Sequence, residues 1–379
     1  MFANEALTDF SIPVNRSALI SAINDLQKRY LSAPIKVTPI INGSAINDRD
    51  SIYREDPSNP SSIIGQIGLA TVEDCESALK SLKKGAQNWS RKHYKERADI
   101  LRKIAAIMVK EKSSLTALII KEAGKPWLDS DADIAEAIDF CNYYADEIER
   151  ISTPKLTDTV PAEESFYSYR PRGICAVIAP WNFPLAILCG MAVAALAAGN
   201  TVAIKPAEQT SIIAHELFRI MLEAGVPSDA ISFLPGVGEI IGKHLVNHPL
   251  TDMICSTGSQ PVGLSIIRDA AQSSASRDGI KRVIAELGGK NAIIIDSDAD
   301  IDEAISGVLV SAFGYAGQKC SACSRLIIVG DLYEEFLHRL SEATRDFPVG
   351  IASDPATVLG PVIDSEAQQR ILKTIALGE

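Results

Sequence analysis

The stretch GICAVIAPWNFPLAILCGMAVAALAAGNTVAIKP, from Gly173 to Pro206, contains two short apolar runs that flank a longer one. Short apolar runs bounded by Gly, Pro and Asn are typical of buried strands. The run from Leu185 to Gly199 has the length of a buried helix, and it is shorter than the about 20 residues that a membrane-spanning helix needs. The stretch therefore predicts a strand–helix–strand unit in a globular protein and no membrane span.

The alternation of strands and helices continues on the C-terminal side of this stretch. The patterns predict a helix at 211–225, a strand at 230–236, a helix at 238–248, a strand at 251–258 and a helix at 259–272. Strands that alternate with helices indicate a parallel sheet with crossover helices. We therefore predict an α/β fold with a Rossmann-like parallel sheet, and a second, smaller and incomplete α/β lobe that begins near Leu287.

Other regions are predicted from apolar spacing, from polar–apolar alternation and from clusters of Pro and Ser. These patterns predict a helical lead-in at residues 1–35, a short hairpin at 34–46 that turns at Asn42-Gly43, a loop at 54–62 and an exposed strand near 164–173.

The composition narrows the class of protein. The 379 residues are 46% hydrophobic and 22% charged, which is sufficient for a large core. The net charge of −11 disfavours nucleic acid as a partner, because such partners require basic surfaces. The seven cysteines are irregularly spaced, so we expect reduced thiols and a cytoplasmic location. The residues after Met1 lack the pattern of a secretory signal.

Residues suited to nucleotide binding follow several of the predicted strands, where ligands bind in open parallel sheets. They are Lys205 and Glu208 after one strand, Gly236, Gly238 and Gly242 after the next, and Gly258 with Ser259 after a third. Helix N-termini with small residues accept phosphate oxygens. The GxGxxxG spacing alone is equally consistent with tight turns, but the strand-end Lys and Glu favour a dinucleotide site.

Three residue types needed for acyl chemistry occur in short, glycine- or proline-rich segments. Cys320 lies in GYAGQKCSACSR, Glu286 in ELGGK and Asn182 in PWNFP. They are candidates for a thiolate nucleophile, a general base and an oxyanion donor. Since Cys323 completes a CxxC motif, a redox pair or half of a zinc site are alternatives for Cys320.

No metal site is predicted. A calcium loop beginning at Asp296 would need Gly and Glu where the chain has Ile301 and Gly307, and we instead expect Asp300 to cap a helix. His244 and His248 have helical i,i+4 spacing, but the sequence supplies no further zinc ligands near them. We therefore expect the histidines to lie on the surface.

The motifs APWNFP, IKPAEQT, STGS, ELGGKNA and GQKCSACSR occur in this order and together resemble the NAD(P)-dependent aldehyde dehydrogenase superfamily. The resemblance extends from about Val37 onward. The KCSA variant and the lead-in FANEALTDFS are similar to the branch that oxidises L-glutamate γ-semialdehyde, the 1-pyrroline-5-carboxylate dehydrogenases, as in the second domain of bifunctional proline-utilisation proteins. The resemblance implies NAD-dependent oxidation of an aldehyde to a carboxylate through a cysteine thioester.

The resemblance assigns roles to the matching positions. It implies that Cys320 is the nucleophile, that Glu286 activates the hydrolytic water, and that Asn182 and the Cys320 backbone N–H form the oxyanion hole. Cys323 is then a packed neighbour. The implied cofactor-binding residues are Ile178, Pro180, Trp181, Lys205, Glu208, Gly238, Gly242, Gly258, Ser259 and Leu287. The implied substrate-binding residues are Ser321, Lys319, Phe183 and Glu136.

The resemblance also implies a domain organisation, a cofactor and partners. Residues 36–286 would form the NAD-binding domain and residues 287–379 the catalytic domain. The negative charge of Glu208 would repel a 2′-phosphate, so we expect NAD to be preferred over NADP. The implied partners are a small aldehyde substrate, further copies of the complete protein in a homo-oligomer, and a proline dehydrogenase linked covalently or functionally.

The family domain continues beyond the segment GPVIDSEAQQRILKTIALGE, which predicts that the catalytic domain is truncated here. A segment that holds the nicotinamide ribose and a loop that anchors the substrate would then be missing. The alternatives to an active aldehyde dehydrogenase are therefore a non-catalytic fragment for cofactor binding or assembly, or a dehydrogenase for another aldehyde.

Overall fold

The computed structural model of the chain describes residues 2–273 and 279–378. The helices in these residues are α1 (Pro13–Ser32), α2 (Val72–Arg91), α3 (Tyr94–Lys110), α4 (Lys112–Ala123), α5 (Trp127–Ile151), α6 (Ala186–Ala197), α7 (Ser211–Glu223), α8 (Lys243–Asn247), α9 (Gln260–Ser273), α10 (Ile301–Phe313), α11 (Tyr333–Arg345) and α12 (Ser365–Ala376). The strands are β1 (Ile35–Val37), β2 (Ile40–Ile41), β3 (Ser44–Ala45), β4 (Ser51–Asp56), β5 (Asn59–Gly68), β6 (Lys155–Val160), β7 (Glu163–Tyr167), β8 (Ile174–Ile178), β9 (Thr201–Lys205), β10 (Ile231–Phe233), β11 (Thr251–Gly258), β12 (Arg282–Leu287), β13 (Asn291–Ile295) and β14 (Cys323–Ile328).

The central sheet has the strand order β12-β11-β8-β9-β10-β2-β3, and its first five strands are parallel. From β8 the chain moves outward through β9 to β10, and it then returns to the other side of β8 as β11. The carboxyl ends of β8 and β11 therefore flank the point where the strand order reverses, which is where such sheets bind ligands. The predicted α/β fold with a parallel sheet is confirmed.

Both faces of this sheet are buried at β8 and β9, as the apolar runs of these strands predict. Successive side chains of a strand point to opposite faces. Cys175 and Val177 of β8 pack with residues of α3, α5, α6 and α7, whereas Ile174 and Ala176 pack with residues of α2, α8 and α9. No helix among residues 2–273 and 279–378 is both long enough and apolar enough to cross a membrane.

The local predictions for the N-terminal region are confirmed in part. Helix α1 occupies most of the predicted lead-in, and β2 and β3 form a hairpin at Asn42-Gly43. The strand before this hairpin, β1, pairs instead with β5. The predicted exposed strand near residues 164–173 is found as β7, which pairs with β6 and ends at Tyr167.

The prediction of a loop at residues 54–62 is wrong, because β4 and β5 form an antiparallel pair there. Pro57 and Ser58 make a tight turn, in which the Asp56 carboxylate accepts a hydrogen bond from the Ser58 N–H at 2.8 Å. The buried Arg54 guanidinium donates to the carbonyl oxygens of Glu122 and Ile363. These contacts with α4 and with the C-terminal segment stabilise β4, whereas the sequence shows only the turn-forming residues.

A second, smaller α/β layer follows β12. Strands β13 and β14 form a parallel pair, and helices α10 and α11 pack against it through a small cluster that includes Ile305 and Phe336. Asp300 caps α10, as predicted, by accepting a hydrogen bond from the Glu303 N–H at 3.1 Å. The parallel pair begins after Leu287, the last residue of β12, and the predicted domain boundaries remain a prediction.

Candidate active site

Asn182 lies in the loop between β8 and α6, which we call the oxyanion loop (residues 179–185). Its side-chain Nδ2 donates to the carbonyl oxygen of Gln318 at 2.9 Å, and its Oδ1 accepts from the Phe183 N–H at 3.1 Å. A primary amide carries two N–H donors. One donor of Asn182 is therefore used to hold the segment that precedes Cys320, and the second can serve a ligand.

Cys320 lies in the segment between α10 and β14, which we call the nucleophile loop (residues 314–322). Tyr315 and Ala316 have left-handed backbone conformations, with φ of 51° and 55°, which are costly for residues other than glycine. The Tyr315 side chain is fully buried, and its hydroxyl donates to the carbonyl oxygen of Ala123 at 2.9 Å. This anchor holds the strained turn in place.

Two further side chains hold the nucleophile loop. Gln318 donates from Nε2 to the Tyr315 carbonyl and accepts from the Ile363 N–H at 3.0 Å. Asn291 donates from Nδ2 to the Cys320 carbonyl at 2.8 Å and to the Ala322 carbonyl at 3.1 Å. The backbone around Cys320 is thus fixed by hydrogen bonds while the cysteine itself stays exposed.

Glu286 lies next to the end of β12, opposite Thr257 of β11. Glu286 and Cys320 both line one cavity of about 580 Å³, whose wall also includes Met191 of α6 and Cys255 of β11. A carboxylate and a thiol on one solvent-accessible cavity can act on the same small molecule and on a water molecule beside it. The structure therefore brings the three predicted catalytic residues together. Cys320 and Glu286 share one cavity, and Asn182 is joined to them by its hydrogen bond to the nucleophile loop.

Cys323 occupies a different environment from Cys320. It begins β14, it is half-buried, and its Sγ donates to the Arg325 carbonyl oxygen at 3.2 Å. All seven cysteines are free thiols in the structure. This contact supports the role of a packed neighbour, and it offers nothing that favours a redox pair.

Lys205 and Glu208 form an ion pair just beyond β9. The Lys205 ammonium is buried and lies 3.0 Å from Glu208 Oε2, while Glu208 Oε1 accepts from the Gly238 N–H at 2.7 Å. A Cβ atom at Gly238 would lie 3.6 Å from both charged groups. The predicted lysine, glutamate and glycine thus form one polar cluster at the carboxyl edge of the sheet.

A cavity of about 600 Å³ adjoins this cluster. Ile178 at the end of β8, Gly238, Gly242 and residues of α8 and α9 line it. Val262 and Ile266 supply an apolar wall. The charged residues of the lining are two basic and two acidic ones, Lys243, Arg268, Glu239 and Asp269. An apolar slot beside a hydrogen-bonding carboxylate fits the flat base and the ribose hydroxyls of a dinucleotide.

The other predicted cofactor residues lie at the same edge of the sheet. Pro180 and Trp181 belong to the oxyanion loop that follows β8. Gly258 and Leu287 face each other as the last residues of β11 and β12, and the exposed Ser259 directly precedes α9. This placement leaves their roles as predictions.

The predicted substrate residues lie in different environments. Ser321 is exposed beside Cys320, and Glu136 is exposed on α5. The Lys319 ammonium forms an ion pair with Asp129 at 2.9 Å, so its charge is compensated. The Phe183 ring lies against the ammonium of Lys125, 4.1 Å from the ring centroid. Direct contact of these residues with a substrate stays a prediction.

Sequence reasoning missed several polar residues that hold the two loops, namely Lys125, Asp133, Asn291 and Gln318. Lys125 and Asp133 are fully buried and form an ion pair at 2.9 Å. In the sequence Lys125 stands between a glycine and a proline and Asp133 stands among helix-forming residues, and charged side chains at such positions are usually solvated. Asn291 could have been selected from the sequence, because it directly follows the ELGGK motif.

The prediction that the histidines lie on the surface is wrong for His248, which is buried. The Nε2 atoms of His244 and His248 lie 3.1 and 3.0 Å from the same Glu76 carboxylate oxygen. The three groups are close enough to share a metal ion. However, His248 Nδ1 accepts from the Leu250 N–H at 3.1 Å, so in the neutral ring Nε2 carries the proton. That nitrogen then donates to Glu76 and has no lone pair for a metal.

Comparison with known proteins gives consistent results. The model of the aldehyde dehydrogenase family matches residues 46–379. The 1-pyrroline-5-carboxylate dehydrogenase of Geobacillus thermodenitrificans is 41% identical over 378 residues, which cover 100% of this chain and 73% of that protein. The crystal structure of a Thermus 1-pyrroline-5-carboxylate dehydrogenase with bound NAD matches with a TM-score of 0.96 and 38% identity, again over 100% and 73%. Proline utilization A from Bdellovibrio bacteriovorus matches with a TM-score of 0.97 and 44% identity, and the chain spans 39% of its length.

Proposed function

The chain belongs to the aldehyde dehydrogenase family, and on that basis we propose that it oxidises L-glutamate γ-semialdehyde to L-glutamate with NAD. The choice of substrate is supported by relatives of about 40% identity that are named 1-pyrroline-5-carboxylate dehydrogenases. The observation that carries the proposal is structural. Cys320 and Glu286 line one cavity, and the Asn182 amide is bonded to the loop that presents Cys320.

In the first step the Cys320 thiolate attacks the aldehyde carbon, forming a C–S bond, and the carbonyl oxygen becomes an oxyanion. The free N–H of the Asn182 amide and the Cys320 backbone N–H donate to that oxyanion. Preorganised donors of this kind usually supply a large part of the rate enhancement. A bound NAD would supply the acceptor for the hydride of the same carbon, and loss of that hydride would leave a thioester on Cys320.

In the second step Glu286 takes a proton from a water molecule, which attacks the thioester carbon. The C–S bond breaks, the Cys320 thiolate is released and the carboxylate product forms. Glu286 is suited to this role because it is exposed on the cavity that Cys320 also lines. A general base must reach water and the acyl carbon together.

The proposed cofactor site is the cavity that adjoins Lys205, Glu208 and Gly238. Both oxygens of Glu208 accept a hydrogen bond, and a carboxylate has further capacity to accept from a ribose hydroxyl. Its negative charge disfavours a 2′-phosphate, although the neighbouring Lys205 weakens this repulsion. We therefore propose a preference for NAD over NADP.

The proposal has three further parts, which concern a partner enzyme, the oligomeric state and the location. The match to proline utilization A supports a functional or covalent link to a proline dehydrogenase. The family resemblance supports a homo-oligomer. The free buried thiols support a cytoplasmic location, because disulfides are rare where glutathione and thioredoxin keep thiols reduced.

The test is turnover of L-glutamate γ-semialdehyde by the purified chain, followed by NADH absorbance. The Glu286→Gln variant should release a burst of about one NADH per active site and then stall. Mass spectrometry should find the acyl group on Cys320. Glu334→Gln, which changes an exposed glutamate on α11, is the matched control. NAD binding without turnover by the wild-type chain would favour the cofactor-binding alternative, and sustained turnover by Glu286→Gln would reject the base assignment.

A further inference from the structure

Lys125 lies in the short connection between α4 and α5, and its side chain is fully buried. Its ammonium donates to Asp133 Oδ2 at 2.9 Å and to the backbone carbonyl oxygen of Asn182 at 3.1 Å. The same nitrogen lies 4.1 Å from the ring centroid of Phe183 and 5.0 Å from that of Tyr315. Burial of an ammonium is costly unless hydrogen bonds and an opposite charge compensate it, and these partners provide both.

These partners belong to the two loops that carry the proposed catalytic groups. Asn182 and Phe183 are in the oxyanion loop, and Tyr315 is in the nucleophile loop. The bond to Asn182 uses its backbone carbonyl, so it fixes the peptide and leaves the side-chain amide free for its bond to Gln318. One buried cation thus contacts both loops.

Asp133 extends the same network. Its Oδ1 accepts from the Ala186 N–H at 2.7 Å, at the first residue of α6, while its Oδ2 accepts from Lys125. The oxyanion loop is therefore held at its centre by Lys125 and at its end by Asp133. In addition, the Tyr315 hydroxyl donates to the carbonyl oxygen of Ala123, the last residue of α4 and two residues before Lys125. The strained turn of the nucleophile loop is therefore anchored next to Lys125.

We propose that Lys125, supported by Asp133, is a positioning residue that fixes the Asn182 amide relative to Cys320. The ammonium does not touch the reacting atoms and acts through the Asn182 backbone. This inference rests on the proposed aldehyde oxidation, in which the Asn182 amide meets the oxyanion. The alternative is a buried ion pair that only stabilises the fold. In that case the effects of Lys125 and Asn182 substitutions on kcat would be independent of each other.

The test is a double-mutant cycle on kcat. Lys125→Met keeps the length of the side chain and removes the charge, and it should lower kcat about a hundredfold, because misplacement of a catalytic group by about 1 Å has effects of this size. Asn182→Ala should lower kcat at least as much. If Lys125 acts through Asn182, the double variant loses no more than Asn182→Ala alone. Multiplicative losses would overturn the proposal.

Two further variants separate positioning from stability. Lys125→Met with Asp133→Asn removes both charges and keeps the acceptor for Ala186, so it should fold even if the single variant does not, and it should show the same loss of kcat. Lys121→Met is the matched control, because Lys121 is also buried and pairs with Asp56 at 3.0 Å. It should lower stability and leave kcat unchanged. Normal kcat in the charge-balanced variant would overturn the proposal.

A measurement independent of turnover keeps this inference separate from the proposed function. Hydrogen exchange followed by mass spectrometry reports local opening of the backbone. The Lys125 variants should speed exchange in peptides that cover residues 179–187 and 314–322, whereas Lys121→Met should change neither. If the wild-type chain oxidises no aldehyde, the proposed function fails, and unchanged exchange in both peptides would still refute the positioning role.

Discussion

Replacement of Asn182 by alanine separates the two uses of its side-chain amide. One N–H holds the nucleophile loop through the Gln318 carbonyl at 2.9 Å, and the other is proposed to meet the oxyanion. The first bond contributes to stability and the second only to the transition state. The backbone contact with Lys125 is retained, because it involves the carbonyl of residue 182.

The two losses have different expected sizes. A hydrogen bond between neutral groups contributes about 1 kcal/mol to the free energy of unfolding. Loss of one oxyanion donor lowers kcat about a hundred- to a thousandfold, which corresponds to about 2.7–4 kcal/mol. We therefore expect Asn182→Ala to be destabilised by about 1 kcal/mol, with a much larger loss in catalysis and little change in KM.

Urea denaturation measures the first quantity, and stopped-flow measurement of the first NADH turnover measures the second. Asn182→Asp is the matched control, since it keeps the size of the side chain but lacks an N–H donor, and its rate of acylation should fall at least as far. A variant Asn182→Ala with a normal rate of acylation would refute the oxyanion assignment. Destabilisation of several kcal/mol with proportionate loss of folded protein would show that the amide serves only the fold.

Three other predictions follow from individual contacts. Glu208→Ala should lower kcat/KM for NAD about tenfold and reduce the preference for NAD over NADP. Glu239→Ala, at the rim of the adjoining cavity, is the control and should change neither quantity. An unchanged preference in Glu208→Ala would contradict the argument that the charge of Glu208 repels a 2′-phosphate. Ser321→Ala should cost L-glutamate γ-semialdehyde about 1.5–3 kcal/mol in transition-state binding and an unfunctionalised aldehyde of similar length much less, and equal losses would show that Ser321 does not recognise the amino-acid end. Burial raises the pKa of Glu122 from 4.5 to about 7, so the carboxyl group of Glu122 binds its proton more tightly in the folded chain than in the unfolded chain. Stability from this group, on the order of 3 kcal/mol, is therefore present below pH 4.5 and is lost as the pH rises through about 7. Denaturation curves at pH 5 and 8 should show this loss in the wild type and not in Glu122→Gln.

The sequence by itself predicted the fold class, which is confirmed, and it supplied the candidate catalytic residues, whose roles stay predictions. Strands such as β8 and helices such as α6 are apolar over their whole length because both faces of a parallel sheet are covered, and this burial is visible in local composition. Cys320, Glu286 and Asn182 became candidates because their residue types suit acyl chemistry and because the order of their motifs resembles that of the aldehyde dehydrogenases. Each proposed role depends mainly on the chemistry of one side chain, so it can be proposed without knowing which residues surround that side chain.

Only the tertiary structure decided which polar groups hold the site together. Lys125 and Asn182 are 57 positions apart in the chain, and Asn182 and Gln318 are 136 apart. A contact over such a separation depends on how the layers pack, and no local pattern encodes it. The ion pair of Lys319 with Asp129 was not indicated by the sequence, and the segment around Arg54 was predicted to be a loop, yet it is a strand. In each case the partner that decides the conformation lies on a distant element, and local composition cannot reveal it.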